Sequence, residues 1–185
     1  SAFTRENDIV HSTNECIKVL TGGSKKFTEL NALRWLVHLI GDMHQPLHIA
    51  CGYIDYQPQI PKIIFDKDTI LQNNLLQKSD KGGNNINLTA SKSLHSYWDD
   101  DLPEMDKNFD NIVYKAPAAV PINQLIELPA QWTGDNLKKS KEAYKGLTVV
   151  GKNAKKPTYL DIQWDKVEYN KRCIPIIKEL SITAA

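Results

Sequence analysis

The feature that most constrains this chain is the segment RWLVHLIGDMHQPLHIA, residues 34–50, in which three histidines and one aspartate interrupt an apolar run. Its middle, WLVHLI, is apolar at nearly every position, which predicts a central helix that begins near Thr28 and is covered on every side. Pro46 should disturb this helix, because its ring clashes with the carbonyl group of Asp42 and its nitrogen has no hydrogen to donate.

Apolar residues recur at helical spacing along much of the remaining chain. Two segments differ: residues 52–79 are interpreted as an inserted excursion, and residues 84–89 as a short extended piece after a glycine turn. We recognise neither internal repeats nor alternating strands and helices, so the predicted class is all-α, with residues 1–185 forming a single domain. Further helices are predicted at about residues 6–20, 94–102, 134–144 and 160–180, the second of them ending before Pro103.

The charge balance gives no reason to expect a chain-wide surface for polyanions, since 23 Lys and Arg stand against 22 Asp and Glu and leave a net charge of +1. The lysines between residues 138 and 156 are interpreted as a solvated helix face rather than a nucleic-acid interface. No apolar run approaches the roughly 18 residues of a membrane-spanning helix. The opening residues SAFTRENDIV lack the basic start and the apolar run of a signal peptide.

Three cysteines, Cys16, Cys51 and Cys173, lie far apart and form no CxxC pair. This spacing argues against a cysteine zinc knuckle or a thioredoxin-like redox motif. One disulfide with one free thiol, and no disulfide at all, both stay open. The triplet NLT at Asn87 is a glycosylation candidate for a eukaryotic secretory route.

Two histidines are each followed by an aspartate four residues later, His38 with Asp42 and His95 with Asp99. This spacing places both members of a pair on one helix face, where an ionised carboxylate in apolar surroundings needs a cation or several hydrogen-bond donors. Imidazoles and carboxylates without sulfur suit a catalytic zinc ion. An isolated pair of this kind is more often a core histidine bonded to a carboxylate, so the residues alone leave both interpretations open.

The other two histidines of this region, His44 and His48, are also four residues apart. Pro46 lies between them and breaks helical regularity, so a shared face is not expected. Four of the five histidines of the chain therefore fall in or beside the two His-x-x-x-Asp pairs.

The string LRWLVHLIGDMHQPLH resembles the signature of the zinc-dependent single-strand nucleases and 3'-nucleotidases, the class I nucleases, which share a fold with bacterial zinc phospholipase C. The later strings SDKGGNNINL and LHSYWDDDL resemble the glycine-glycine-asparagine turn and the second ligand motif of that family. WTGDN, at residues 132–136, is similar to a weaker family segment. A match of 16 residues with its ligands in order is a specific signal.

The resemblance implies a role for each matching residue. His38 resembles a ligand of the first zinc, and Asp42 resembles the catalytic carboxylate that bridges the first and third zincs. The second zinc would be held by His48, His95 and Asp99. The remaining matches imply supporting roles. His44 has either a structural role or orients a neighbour by a hydrogen bond. Lys81 lines the base pocket, and Gly82, Gly83 and Asn84 let the backbone pass close to the site.

The family places further ligands upstream of His38, beginning with an N-terminal tryptophan, and these have no counterpart in this sequence. Two expectations follow. Either the 185 residues are the C-terminal portion of a longer or processed chain, with an N-terminal segment of the same precursor as partner, or this member holds fewer metals. The complete family site contains three Zn²⁺ ions, and at least one is expected from this chain alone.

The resemblance implies a zinc-dependent phosphoesterase that cleaves single-stranded DNA and RNA to 5'-nucleotides and removes 3'-phosphate from nucleotides by metal-activated water. It also implies a secreted, periplasmic or lumenal protein. Two alternatives remain: a phospholipase C-type phosphodiesterase that acts on lipid head groups, and a non-catalytic domain with one structural zinc.

Overall fold

The computed structural model describes residues 8–105 and 121–184, with the side chains of residues 122 and 123 left out of the description. The described chain is mostly helical, which confirms the predicted class, although it also contains two small sheets. In chain order its elements are α1 (Ile9–Leu20), α2 (Glu29–His44), α3 (Pro46–Ile49), β1 (Tyr53–Asp55), β2 (Lys62–Ile64), α4 (Lys67–Gln72), β3 (Ile86–Asn87), α5 (Leu94–Ser96), a π-helical turn (Tyr97–Asp101), α6 (Leu102–Met105), α7 (Ile122–Leu125), α8 (Leu128–Tyr144), β4 (Leu147–Lys152), β5 (Leu160–Trp164) and α9 (Lys166–Ala184).

The helices of the N-terminal half begin at side-chain caps. Asp8 accepts the N–H of His11 at the start of α1, and Thr28 accepts the N–H of Asn31 at the start of α2. Such caps satisfy N–H groups that have no partner inside the helix. The predicted start near Thr28 is therefore confirmed, and so is the break at Pro46, which begins the separate helix α3.

The expectation that the central helix is covered on every side is wrong. Within the described residues, α2 exposes 57% of Trp35 and 67% of Val37, and Leu33 is also exposed. Ala32 and Met43, on another face, are buried. An apolar pattern records which side chains favour burial, but it does not supply an element to cover each of them.

The second correction concerns residues 160–164, which form strand β5 instead of the start of the last helix. β4 pairs with β5 in antiparallel fashion, and β5 pairs with β3 in parallel fashion. Leu160 and Ile162 point into the core from one face of β5, as strand alternation requires. β3 confirms the predicted extended piece, and α9 begins only after Asp165, whose side chain accepts the N–H of Val167.

Residues 52–79 fold as a β-ribbon followed by a short helix. β1 and β2 pair in antiparallel fashion, and α4 leads the chain back, where Tyr53 pairs with Ser79 and the N–H of Ile54 donates to the carbonyl of Lys78. The segment thus leaves and rejoins the chain at one place. Its description as an excursion within a single domain of residues 1–185 stays a prediction.

The π-helical turn corrects the predicted end of the helix before Pro103. The N–H of Leu102 bonds to the carbonyl of Tyr97, five residues back, and α6 then continues through Pro103. Pro103 is tolerated because it occupies the first turn of α6, where an amide hydrogen is not required. The wide turn places Trp98 and Leu102 in the main core beside Tyr169 and Cys173.

The three cysteines, Cys16, Cys51 and Cys173, are free thiols, so the alternative without a disulfide is the one observed. Cys16 and Cys173 are buried in separate clusters of apolar side chains. Among the described residues, no helix combines the length and the apolar character needed to cross a membrane.

Candidate metal centre

Three side chains from different elements converge at one end of α2. His48 of α3, His95 of α5 and Asp99 of the π-helical turn each place one potential ligand atom within 4.8 Å of the others. The Nε2 atom of His48 lies 3.5 Å from Asp99 Oδ1, and the Nε2 atom of His95 lies 3.4 Å from Asp99 Oδ2. Ligands about 2.0–2.1 Å from a tetrahedral zinc ion are about 3.3 Å apart, so the donor set and its spacing fit Zn²⁺.

His95 is held in one orientation by the glycine turn that precedes its helix. Ser93 and Ser96 cap each other at the start of α5, which fixes the helix end. The Nδ1 atom of His95 lies 2.8 Å from the carbonyl oxygen of Gly82. Because a carbonyl oxygen only accepts, Nδ1 is the donor, and this contact leaves Nε2 on the side of Asp99.

Asp99 receives two hydrogen bonds that favour its ionised form. Gln45 donates from Nε2 to Oδ1 at 2.8 Å, and His48 approaches the same oxygen. Partial burial raises the pKa of Asp99, but the hydrogen bonds from His48 and Gln45 outweigh it, and the pKa lies below its usual range. A carboxylate that stays ionised at low pH is suited to binding a cation.

His48 has the opposite shift. Its hydrogen bond to Asp99 raises the pKa of His48, against the lowering effect of burial, and the charge of Asp42 adds to the increase. In the absence of a cation, the carboxylates of Asp42 and Asp99 thus favour the protonated form of His48, whose positive charge lies next to both of them.

Asp42 connects the first His-x-x-x-Asp pair, His38 with Asp42, to this cluster. On α2, the Nε2 atom of His38 lies 3.3 Å from Asp42 Oδ2. On the other side of the carboxylate, Asp42 Oδ1 is 3.9 Å from Nδ1 of His48. The structure thus brings all the sequence-predicted ligands into one continuous chain of contacts: His38, Asp42, His48, Asp99 and His95.

Comparison with known proteins agrees with the resemblance of the three sequence motifs. The family model for S1/P1 Nuclease matches residues 2–184. The chain belongs to the S1/P1 nuclease family. Nuclease S1 of Aspergillus oryzae is 35% identical over 78 residues, which cover 40% of this chain and 18% of that relative. No solved structure matches.

The glycine turn of this S1/P1 nuclease family member explains two of the predicted supporting residues. Gly82 and Gly83 have φ angles of +61° and +82°, which side chains other than glycine rarely adopt. A Cβ atom on Gly82 would also collide with the carbonyl oxygen of Leu47, and one on Gly83 would lie 3.1 Å from Leu94. The packing of the turn against α3 therefore requires glycine at position 82, and its packing against α5 favours glycine at position 83.

The other predicted supporting residues lie at different distances from the cluster. Asn84 is exposed and donates to the carbonyl of Lys81, so its side chain does not face the ligands. His44 is buried, donates from Nδ1 to the carbonyl of Ile40 and packs against Trp132. Burial lowers the pKa of His44. Its ring belongs to the packing of α2 on α8 and orients none of the predicted ligands.

Two cavities flank the cluster. A groove of about 470 Å³ is bounded by Asp42, His48 and Asp99 on one side and by the end of α9 on the other. A second cavity of about 730 Å³ opens on His48 and His95, with Lys81 at its rim and Phe65 in its wall. Both volumes are in the range of small-molecule sites. The ligand atoms are thus accessible from two directions.

The sequence analysis missed Gln45 and Asp80. Gln45 is separated from its partner Asp99 by 54 positions, so no local spacing links them. Asp80 is fully buried and directly precedes Lys81 and the glycine turn. The sequence feature that could have identified it is a carboxylate immediately before a glycine-rich turn.

At Asn87, the side-chain amide donates to Asp161, and glycosylation there stays a prediction.

Proposed function

We propose that the chain is a zinc-dependent phosphoesterase that cleaves single-stranded DNA and RNA to 5'-nucleotides and removes 3'-phosphate from nucleotides. The observation that carries the proposal is the convergence of His48, His95 and Asp99, with their ligand atoms within 4.8 Å. Membership of the S1/P1 nuclease family supports it. When bound there, zinc supplies a Lewis acid that polarises a phosphoryl oxygen and makes water more acidic.

Asp42 is the proposed catalytic carboxylate. It lies between His38 and His48, and it forms part of the groove wall, where a phosphate group can approach. In this role the carboxylate, together with His38, would hold the metal that makes the attacking water more acidic. We assign His38 to the first metal position and Asp42 to the bridge between the first and third, separate from the second zinc at His48, His95 and Asp99, and we keep three Zn²⁺ ions as the proposed content of the complete site.

The larger cavity is the proposed place for an unpaired base. Tyr53 and Phe65 contribute aromatic side chains to its wall, and Lys81 contributes a cation at the rim, beside His48 and His95. Aromatic rings stack on bases without regard to sequence, which suits a substrate that is single-stranded.

The single most informative test compares the wild type with Asp42→Asn after both have been loaded with zinc. We expect the variant to fold, to retain at least one zinc by plasma emission, and to lose about 100-fold or more of its activity on single-stranded DNA. Asp135→Asn is the matched control, because Asp135 is an exposed, ion-paired aspartate on α8. Retained activity in zinc-loaded Asp42→Asn would reject the role of Asp42.

We further propose that an N-terminal segment of the same precursor supplies the remaining ligands. The support is the exposed apolar face of α2 at Leu33 and Val37, the second of which directly precedes the exposed His38. Intact mass and zinc content of the protein purified from its natural source test this. A second polypeptide with close to three zinc ions supports the proposal, and a lone chain with one zinc ion contradicts it.

A second candidate function is a non-catalytic domain with one structural zinc. The observation in its favour is the contrast between the supported cluster at His95 and the exposed His38. It predicts a higher melting temperature with zinc and no phosphoesterase activity. A secreted, periplasmic or lumenal location is part of the main proposal, with family membership as its support. A glycan mass on the native Asn87 peptide would add to that support.

A further inference from the structure

Asp80 is a fully buried carboxylate that the proposed mechanism does not use. Its Oδ1 atom accepts the N–H of Gly52 at 3.1 Å, and its own N–H donates to the carbonyl of Gly52 at 2.9 Å. These contacts join the two ends of the segment at residues 52–79. They also place a charge in a part of the core where it is costly unless it has partners.

Tyr144 of α8 is the second polar side chain in this part of the core. Its hydroxyl oxygen accepts the N–H of Gly52 at 3.3 Å. Burial raises the pKa of Asp80 to about 6, and the nearby Tyr144 hydroxyl counteracts this rise, although no hydrogen bond of good geometry reaches Oδ2. Burial, with the carboxylate of Asp80 next, also raises the pKa of Tyr144.

The glycine turn lies between this carboxylate and the metal cluster. Lys81, Gly82 and Gly83 have consecutive positive φ angles, and the N–H groups of Gly83 and Gly82 act on Asp80 to lower its pKa. Successive backbone N–H groups that face one concavity form an anion-binding nest. Asp80 closes this turn, because its main-chain carbonyl accepts the N–H of Asn85 at 3.0 Å, and its carboxylate directly precedes the turn in the sequence.

The opposite side of the turn carries the carbonyl group of Gly82, which accepts the Nδ1–H of His95 at 2.8 Å. His95 Nε2 is thereby aimed at Asp99 Oδ2. Between Asp80 and His95 there is only the backbone of this turn, so a shift of the turn changes the direction of Nε2. The turn has little freedom to compensate, because it packs against Leu47 and Leu94.

We propose that Asp80 is a positioning residue for the metal centre: its carboxylate fixes the Gly82–Gly83 turn, whose carbonyl group holds the His95 ring for coordination. Tyr144 assists by holding Gly52 against the same carboxylate. The inference rests on the proposed function to the extent that His95 must bind zinc. It names the buried group on which the geometry of that ligand depends.

The test uses the full chain with Asp80→Asn and, separately, Tyr144→Phe. Asn keeps the size of the side chain but turns one acceptor oxygen into a donor that faces the turn's N–H groups. We expect zinc binding, measured by competition with a chelator, to weaken about 10- to 100-fold in Asp80→Asn, as for other partners that orient a ligand. For Tyr144→Phe the expected loss is smaller, about threefold, since the backbone contacts remain.

A second readout does not depend on metal or activity. In the metal-free protein, ¹⁵N-labelled imidazole spectra report which nitrogen of His95 carries the proton. The wild type should show the Nδ1–H tautomer, and Asp80→Asn a mixture of both tautomers. A purely structural role for Asp80 would lower the melting temperature and leave the tautomer unchanged.

Asp161→Asn is the matched control. Asp161 is a partly buried aspartate of β5, which accepts the side-chain amides of Asn87 and Asn153. This variant should lose stability but bind zinc within about twofold of the wild type. Equal zinc affinity and tautomer in Asp80→Asn and the wild type would overturn the inference.

The remaining outcomes are also decisive. If Asp80→Asn does not fold, an unchanged zinc affinity and tautomer in Tyr144→Phe overturn the inference, and a weaker affinity supports it. If the wild type binds no zinc, the proposed function fails, while the His95 tautomer still decides whether Asp80 positions the ring.

Discussion

The two His-x-x-x-Asp pairs have the same spacing in the sequence and nearly the same contact distance, 3.3 Å for His38 with Asp42 and 3.4 Å for His95 with Asp99. Their surroundings differ. The His38 side chain is 62% exposed, whereas that of His95 is 17% exposed and bonded to Gly82.

The difference shows that spacing brings two side chains together but does not hold them there. Among the described residues, His38 has an edge contact with Trp35 in addition to Asp42. At the second pair, Gln45, His48 and the glycine turn restrain both members. Restraint by neighbouring groups lowers the entropy lost when a metal binds. The two pairs should therefore differ in affinity.

The largest expected effect is the loss of zinc in His95→Ala. Removal of a direct ligand should weaken binding by more than about 100-fold, beyond the range for outer groups. His38→Ala should leave the tightest zinc within about threefold of the wild type, since the cluster at His48, His95 and Asp99 remains complete. Chelator competition measures both. Equal losses in the two variants would remove the distinction between the pairs.

The next largest effect is a pH dependence of stability that comes from Asp80, the buried residue before the glycine turn that contacts His95. Asp80 has a raised pKa of about 6 in the folded protein, so between about pH 4 and 6 the folded state binds more protons than the unfolded state. Stability from this group therefore falls as pH rises through that window, by an amount on the order of 3 kcal/mol.

Chemical unfolding at several pH values measures this dependence in the metal-free protein. Asp80→Asn should remove the fall between pH 4 and 6, because asparagine does not titrate. An identical slope in the variant and the wild type would mean that other groups cause it.

Gly82→Ala should reduce stability by about 2 kcal/mol, because it combines an unfavourable φ with a collision at Leu47. This corresponds to a fall in melting temperature of about 4–8 °C for a chain of this size. Gly134→Ala is the control: nothing lies within 4 Å of an added Cβ there, and alanine favours helix α8. Calorimetry should show opposite signs for the two substitutions.

Gln45→Ala should weaken zinc binding about 10-fold, since it removes the amide donor of Asp99. It should also raise the pKa of Asp99, because Gln45 is one of the groups that lower it. A carboxylate titration followed by ¹³C chemical shift checks the second effect. Unchanged zinc affinity would limit Gln45 to its other contact, the N–H of Leu47.

The smallest effect is expected at Trp35, beside the unsupported pair. Trp35→Ala should change stability by less than about 0.5 kcal/mol, because the side chain is exposed. Zinc affinity should stay within about twofold. A larger change in either quantity would mean that His38 is more firmly held than its contacts indicate.

Sequence patterns predicted the helices α1 and α2 and the break at Pro46, because caps, apolar spacing and proline act over a few residues. The choice of ligands came from motif resemblance, and their metal-binding roles stay a prediction. β5 was missed because its apolar residues also fit a longer helical pattern. Of its two partners, β3 is remote in sequence, and β4 is similarly short.

The supports of the site were the least predictable part. Gln45 and Asp99 are 54 positions apart, and Asp80 acts through backbone groups whose orientation no residue pattern encodes. The exposed face of α2 was mispredicted for a related reason: a sequence gives the preference of Val37 for burial, but not the presence of a neighbour.

The parallel pairing of β3 with β5 has a consequence for synthesis. The carbonyl of Asn85, next to the glycine turn, bonds to the N–H of Leu160, so residues made about 75 positions later complete the sheet beside the ligands. At 5–20 residues per second, the ribosome needs about 4 to 15 seconds to add them. From Asp99 onward, about 60 positions before Leu160, the nascent chain contains all the predicted ligands without this support. A fragment that stops before Leu160 should remain sensitive to protease at the glycine turn.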